Sequence, residues 1–172
     1  MLFNTNRLTI RNVIYADWHD ILEIWESLQD SPFAKYDKPT DISKPAVRER
    51  IAKWSSAIDN PDHQFFSVIL NERIIGYVAF NIRSDSYEIG YSFHKAFHRM
   101  GYAKESILVL LNYMKNIGVK KIIARTALEN TPSVNLLNSV GFSQIDTEQV
   151  SFYKQENGED IFFTGGVFEY SL

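Results

Sequence analysis

Phe97-His98-Arg99-Met100-Gly101-Tyr102-Ala103-Lys104-Glu105 is the stretch of this 172-residue chain that decides its fold. Before it, apolar residues alternate as they do in a strand, and after it they recur at helical spacing: first Ile89, Tyr91 and Phe93, then Ile107, Leu110, Leu111 and Met114. The stretch therefore predicts a strand that turns into a helix at Gly101.

The start of that helix suits an anion. Its first amides have no partner within the helix and lie at the positive end of the helix dipole. A glycine lets an anion approach the backbone closely, and Ala103 adds only a methyl group. The junction therefore predicts a phosphate or pyrophosphate site. An ordinary helix start after a turn fits the same residues, and the rest of the chain must decide between the two.

Length and composition are typical of one domain, residues 1–172, with 45% hydrophobic and 23% charged residues. A net charge of −3 without a dense Lys/Arg run argues against nucleic acid as a direct partner. The absence of cysteine excludes disulfides, a thiolate nucleophile and cysteine-ligated metal. No apolar run approaches the roughly 20 residues of a membrane span, and no signal segment is evident. We therefore expect a cytoplasmic protein without a membrane partner.

The spacing of apolar residues predicts an α/β protein. The first half reads as a strand, two helices separated by a proline-broken loop, and a hairpin: Arg7–Arg11, a helix through Trp18 and Trp25, the loop Gln29–Pro45, a helix through Val47 and Trp54, and strands Phe65–Leu70 and Ile74–Phe80 around Asn71-Glu72-Arg73. We expect the loop to be mobile and able to close over a substrate.

The second half alternates strands and helices: Tyr87–Phe93, Ala103–Asn116, Lys121–Thr126, Thr131–Val140, and strands within 142–172 that meet at the turn Gln155–Asp160. A strand–helix–strand unit makes a right-handed parallel crossover, whereas the hairpins are antiparallel. The sheet is therefore predicted to be mixed, in the order β-α-α-β-β-β-α-β-α-β-β.

Four segments, in this order and spacing, resemble one family. They are Arg7-Leu8-Thr9-Ile10-Arg11, Glu88-Ile89-Gly90-Tyr91, Gly101-Tyr102-Ala103-Lys104-Glu105, and the run from Asn130 through Ser133 to Gly141-Phe142. Together they resemble the GNAT superfamily of acyl-CoA N-acyltransferases, in its RimJ/RimL-type branch of ribosomal-protein N-terminal acetyltransferases, over nearly the whole chain. The resemblance implies the GNAT fold, with a central pair of strands that splay apart, and favours the anion site at Gly101.

The resemblance also implies acetyl-CoA as cosubstrate. The family's loop, Gln/Arg-x-x-Gly-x-Gly/Ala, corresponds to His98-Arg99-Met100-Gly101-Tyr102-Ala103, with histidine in place of the usual first residue. Amides from about Arg99 to Lys104 would bind the pyrophosphate. A backbone amide near Tyr91 or Phe93 would hold the thioester carbonyl, and polar contacts after the second splayed strand would come from Asn130 and Ser133.

Attack of an amine on a thioester needs a neutral amine and a proton for the thiolate, and it requires no metal. Glu88 is the candidate base because it lies on the central strand beside the acyl site; the alternatives are an outward-facing carboxylate or an ion-pair partner. Many GNAT proteins have a tyrosine acid where this chain has Leu137, so Ser133 or solvent would donate the proton instead. The four histidines show no metal-ligand spacing.

The sequence thus predicts an N-acetyltransferase that moves an acetyl group from acetyl-CoA to a primary amine, either on a peptide or protein N-terminus or on a small molecule. At pH 7 an α-amine of pKa about 7.8 costs only about 1 kcal/mol to deprotonate, against roughly 4.6 for a lysine. The alternative is a catalytically silent acyl-CoA-binding module of the same fold. A nucleotide-binding protein is disfavoured because its glycine motifs are absent. We expect a monomer or homodimer.

Overall fold

One mixed sheet of eight strands organises the protein, as seen in a computed structural model that describes all residues, 1–172. The strands are β1 (Leu2–Asn4), β2 (Thr9–Asn12), β3 (His63–Leu70), β4 (Arg73–Arg83), β5 (Ser86–Phe93), β6 (Lys121–Ala127), β7 (Ser143–Lys154) and β8 (Asp160–Ser171). They lie in the order β1-β2-β3-β4-β5-β6-β8-β7. Only β5 and β6 are parallel; every other neighbouring pair is antiparallel.

Four helices cover the two faces of this sheet: α1 (Trp18–Leu28), α2 (Lys44–Ser56), α3 (Tyr102–Asn116) and α4 (Thr131–Ser139). Buried residues of α3 and α4 join a core cluster of 19 residues, and those of α1 and α2 a second cluster of eight. Phe66 belongs to the first cluster, whereas its neighbour Phe65 packs against the second. Since successive side chains of a strand point to opposite faces, the two cores lie on opposite sides of the sheet.

The predicted mixed α/β fold is confirmed, with one difference at the N-terminus. β1 adds an edge strand of three residues, which is too short for its alternation to be recognised. The strand predicted from Arg7 begins at Thr9, and Arg7 lies outside the sheet. The predicted hairpin turn is formed by Asn71 and Glu72 alone, both at positive φ (48° and 68°), and Arg73 already belongs to β4.

The two parallel strands separate after a short paired segment. β5 and β6 pair at three positions, the last of which joins Ile89 to Ala124. Beyond it, residues 90–93 of β5 pair only with β4, and residues 125–127 of β6 pair only with β8. The predicted splay is therefore present, and we call the space between these two segments the gap.

A long hairpin, β7–β8, extends past the rest of the sheet. The first part of β8, residues 160–164, pairs with β7 alone, because β6 pairs only with residues 165–171. The loop between α1 and α2 rests against this overhang. The Tyr36 ring packs edge-on against Phe163, 5.3 Å between centroids, and the Tyr153 hydroxyl donates to the Asp37 carbonyl at 3.1 Å. The loop that the sequence analysis expects to be mobile thus has specific contacts with the hairpin.

Candidate active site

The loop before α3 presents a run of backbone donors. Gly101 caps α3 in the left-handed conformation (φ 82°), and Arg99 also has a positive φ of 61°. Six consecutive amides, from Arg99 to Lys104, donate to no acceptor within the protein. The first amide of this region with a partner is that of Glu105, which donates to the Gly101 carbonyl at 3.0 Å. Successive amides in such a turn form a concave anion-binding surface at the positive end of the helix.

Arg7 holds this loop from the other end of the chain. Its guanidinium donates to the Met100 carbonyl at 3.0 Å and to the Glu105 carboxylate at 2.8 Å, and it lies over the Tyr102 ring, 4.5 Å from the centroid. Burial acts to raise the pKa of Glu105, but hydrogen bonds from Thr5 and Arg7 outweigh it and lower that pKa. The sequence pattern indicates only a strand around Arg7 and gives no sign of this contact.

His98 differs from the loop residues that follow it. Its amide donates to the Lys95 carbonyl at 3.2 Å, and its Nε2 donates to the Phe93 carbonyl at 2.7 Å. A carbonyl can only accept, so Nε2 carries the proton in this contact. The amide and the Nε2 of His98 therefore both bind carbonyls of the protein, and the Nε2 contact joins the end of β5 to the loop.

Two residues predicted for the site meet in the structure. The Tyr91 hydroxyl of β5 lies 2.9 Å from Ser133 Oγ of α4. Burial raises the pKa of Tyr91 to about 12, although the hydrogen bond with Ser133 acts in the opposite direction. Asn130 caps α4, since its Oδ1 accepts from the Ser133 amide at 3.4 Å. The first turn of α4 is thus joined to the strand that borders the gap.

Leu137, where many family members have a tyrosine, is fully buried in the larger core. It therefore belongs to the packing of α4 and not to the surface of the gap. The hydroxyl of Ser133, one turn earlier, is the polar group that α4 contributes beside Tyr91.

Glu88 forms an ion pair, which is one of the alternatives to a catalytic base that the sequence left open. Its carboxylate pairs with the Arg125 guanidinium of β6, whose Nε lies 3.5 Å from Glu148 Oε1 of β7. Arg125 therefore lies between two carboxylates that come from different strands. Sequence reasoning missed both Arg125 and Glu148, because neither belongs to a motif and their contact depends on the strand order.

An open cavity of about 270 Å³ lies above this cluster. Its lining includes the charged side chains of Glu88, Arg125 and Glu148, the loop residues Tyr36 and Asp37, and Phe152 and Phe163 of the hairpin. Desolvation by the surrounding chain raises the pKa of Asp37. Gly165 also lines the cavity, where a Cβ would lie 3.1 Å from Val150 and 3.2 Å from Glu148.

Gly90 links the cavity to the gap along β5. It lies two residues after Glu88 and one residue beyond the last β5–β6 pair. It is exposed, and a Cβ built on it would meet no atom within 4 Å. The face of β5 that carries Glu88 is therefore open where the two strands begin to separate. Asn130, at the start of α4, borders the same cavity.

No group of three or more His, Asp or Glu side chains is arranged to hold a metal ion. None of the helices combines the length and the apolar character needed to cross a bilayer.

The chain is similar to known acetyltransferases in sequence and in structure. Residues 7–143 match the family model described as an acetyltransferase (GNAT) domain. An uncharacterized N-acetyltransferase of Bacillus subtilis, YnaD, is 31% identical to this chain, with 82% of each chain covered.

Solved structures share the fold over almost the whole length. A GNAT-family acetyltransferase from Bacillus anthracis is 25% identical, with a TM-score of 0.79 over 99% of this chain and 98% of that one. RimL, a ribosomal L7/L12 α-N-protein acetyltransferase solved in complex with coenzyme A, is 12% identical, with a TM-score of 0.84 over 100% of this chain and 98% of that one. Because the family model covers most of its length, this chain belongs to the GNAT acetyltransferase family and is an acetyltransferase.

Proposed function

We propose that this acetyltransferase transfers the acetyl group of acetyl-CoA to a primary amine by direct attack within a ternary complex. The observation that carries the proposal is the position of the gap, which has a loop of six unpaired amides at one end and a carboxylate-lined cavity beside it. A thioester and an amine bound on the two sides would meet near Gly90, with their reactive groups held in one orientation.

The loop fits the coenzyme by its donors and by its shape. The six amides from Arg99 to Lys104 would bind the pyrophosphate, and the absence of a side chain at Gly101 would let it approach. When bound, acetyl-CoA supplies an activated acetyl group. A backbone amide near Tyr91 or Phe93, on the unpaired edge of β5, would donate to the carbonyl oxygen, where negative charge develops. His98 would hold the loop against Phe93 without contacting the coenzyme through its ring.

Ser133 is the proposed proton donor to the departing thiolate. Its hydroxyl lies at the start of α4 and is oriented by the Tyr91 hydroxyl, 2.9 Å away. With its pKa raised to about 12, Tyr91 keeps its proton at every pH at which the enzyme would be assayed. It can therefore donate a hydrogen bond to Ser133 while Ser133 gives its proton to the sulfur, and Ser133 then takes a proton back from solvent. A thiolate of pKa near 8.5 needs only weak assistance near neutral pH.

Glu88 is the proposed base, acting directly or through a water molecule. Its carboxylate lies in the cavity beside the opening at Gly90, and Arg125 holds its orientation. An α-amine of pKa about 7.8 is already partly neutral at pH 7, so it requires little from a base. The lower cost of deprotonation therefore favours acceptors of the α-amine type over lysine side chains.

The acceptor is proposed to be a peptide or protein N-terminus or a small amine. The likeness in fold to RimL, whose name describes an α-N-protein acetyltransferase for L7/L12, supports the RimJ/RimL-type branch and an N-terminal acceptor. The cavity is open to solvent, so the rest of a peptide chain could extend out of it.

A catalytically silent acyl-CoA-binding module remains the second candidate. The ion pair of Glu88 with Arg125 and the buried leucine at Leu137 favour it, because each removes a group that catalysis would use. Isothermal titration with acetyl-CoA, followed by a thiol-release assay over peptides and amines, separates the two. Binding with thiol release supports the enzyme, and binding without release from any acceptor supports the silent module. No binding by folded protein contradicts both.

A further inference from the structure

We propose that the cavity selects an acceptor with a single positive charge and a bulky apolar group beside its amine. Two sources share this chemistry: a peptide N-terminus whose first residue is large and apolar, and a small arylalkylamine. The proposal deepens the acetyltransferase function proposed above and rests on it.

The charges around the cavity match a monocation. Its acidic side chains are Asp37, Glu88 and Glu148, and its basic ones are Lys38 and Arg125, so one negative charge is in excess. Arg125 lies between Glu88 and Glu148 and compensates for part of their charge. One ammonium group completes the balance, whereas a polyamine would bring further charges that have no carboxylate partner here.

Three aromatic side chains in the lining of the cavity lie against one another and form its aromatic side. The Phe163 ring contacts Tyr36 at 5.3 Å and Phe152 at 5.6 Å between centroids, and so joins the loop to both strands of the hairpin. Phe152 remains 37% exposed, although it borders the cavity. An apolar group placed there would remove aromatic surface from water, at roughly 25 cal/mol for each Å² covered. The amine would then lie near the charged side chains, towards Gly90.

The size of the cavity limits what it can enclose. At about 270 Å³ its volume is slightly below the roughly 300–1,000 Å³ typical of ligand pockets. This space suits one large side chain or one aryl group, and not an extended polyamine or a multi-ring aminoglycoside. Gly165 keeps part of this volume open, since a side chain there would press on Val150 and Glu148.

The test is an acetyl-transfer assay with acceptors that differ in one feature. One arm compares peptides identical except for a first residue of Phe, Leu, Ser or Arg. The other compares phenethylamine with ethanolamine and spermidine. We expect kcat/KM for Phe- or Leu-started peptides, or for phenethylamine, to exceed that of their polar counterparts at least tenfold. The arm in which this preference appears identifies the source of the acceptor.

A pair of neighbouring variants tests the aromatic side. Phe163→Ala should abolish most of the preference while leaving the KM for acetyl-CoA unchanged. Phe162→Ala is the matched control, because Phe162 is 61% exposed on the same strand and does not line the cavity. Phe163→Leu, which keeps an apolar side chain, should retain an intermediate preference and guards against a loss of folding in the alanine variant.

Different results would overturn the proposed acceptor class and the proposed acetyltransferase function. Thiol release that favours Ser-started peptides or spermidine, or a preference unchanged in Phe163→Ala, would overturn the acceptor class and leave the acetyltransferase mechanism standing. No thiol release with any amine, despite binding of acetyl-CoA, would overturn the proposed function and the acceptor class together.

Discussion

The Tyr91 hydroxyl lies 2.9 Å from Ser133 Oγ and joins β5 to α4 just beyond the point where β5 and β6 stop pairing. This hydrogen bond links residues 42 positions apart. It also makes a direct connection between the strand proposed to hold the thioester and the helix proposed to supply the proton. Its contribution can be measured both as stability and as turnover.

Tyr91→Phe should change the dependence of stability on pH. The native pKa of about 12 lies above the ordinary value of 10.0, so the native state holds this proton more tightly than the unfolded state. The stabilisation is intact below pH 10 and is lost as the pH rises towards 12, by about 2 to 3 kcal/mol. At pH 7 the variant should be about 1 kcal/mol less stable, from the lost hydrogen bond. Urea unfolding at pH 7 and above pH 10 measures both effects.

The control for this variant is Tyr15→Phe, since Tyr15 is half exposed. Because phenylalanine cannot ionise, the stability deficit of Tyr91→Phe relative to the wild type should shrink above pH 10 and change sign as the pH approaches 12. A constant difference across that range would show that ionisation of Tyr91 is not coupled to folding.

Gly101→Glu should weaken acetyl-CoA binding more than tenfold, which is over about 1.4 kcal/mol. The new carboxylate would stand against the pyrophosphate at the run of unpaired amides. Gly118→Glu is the matched control, because Gly118 follows the other end of α3 with a similar φ of 88° and open space around it. Isothermal titration of both variants with acetyl-CoA separates the effect of the new charge at the loop from the effect of backbone strain, which both variants share. Equal affinities in the two would place the coenzyme elsewhere.

Glu88→Gln should reduce kcat while leaving the affinity for acetyl-CoA unchanged, because Glu88 lines the cavity and lies away from the loop. The acidic limb of the pH–rate profile should shift or disappear if Glu88 is the base. Glu148→Gln provides the comparison, since Glu148 contacts the same arginine from another strand. An unaltered profile in Glu88→Gln removes Glu88 as the base, and an equal effect of both variants assigns the role to the cluster around Arg125.

Asp17→Asn should destabilise the protein by about 3 kcal/mol, because it leaves a partly buried arginine without its carboxylate. Asp17 is 3% exposed and accepts from both Arg11 amino groups, at 2.7 and 2.8 Å, and from Ser67 Oγ at 2.6 Å. Its hydrogen bond raises the pKa of Arg11, so the arginine stays charged. Chemical denaturation measures the loss. Asp59→Asn, on the exposed surface, should stay within about 0.5 kcal/mol of the wild type.

Much of the fold follows from local pattern. The α3 start at Gly101, the turn at Asn71 and Glu72, and the splayed parallel pair agree with the structure because spacing, turn chemistry and the family resemblance indicate the same elements. The short strand β1 was missed because three residues at an edge carry too little alternation. The roles of Glu88 and Ser133 stay predictions, and the structure adds the partners Arg125 and Tyr91 to them.

The sequence by itself determined the family, the mixed sheet and the turn from strand to helix at Gly101, because these depend on residues close together in the chain and on periodicities that local sterics impose. Only the tertiary structure decided which side chains meet at the gap and in the cavity. Arg7 contacts Glu105, 98 positions further along the chain, and the cavity is lined by residues from one loop, four strands and the start of α4. Such contacts depend on the order of the strands and on packing between residues far apart in the chain. Local sequence patterns carry no information about either.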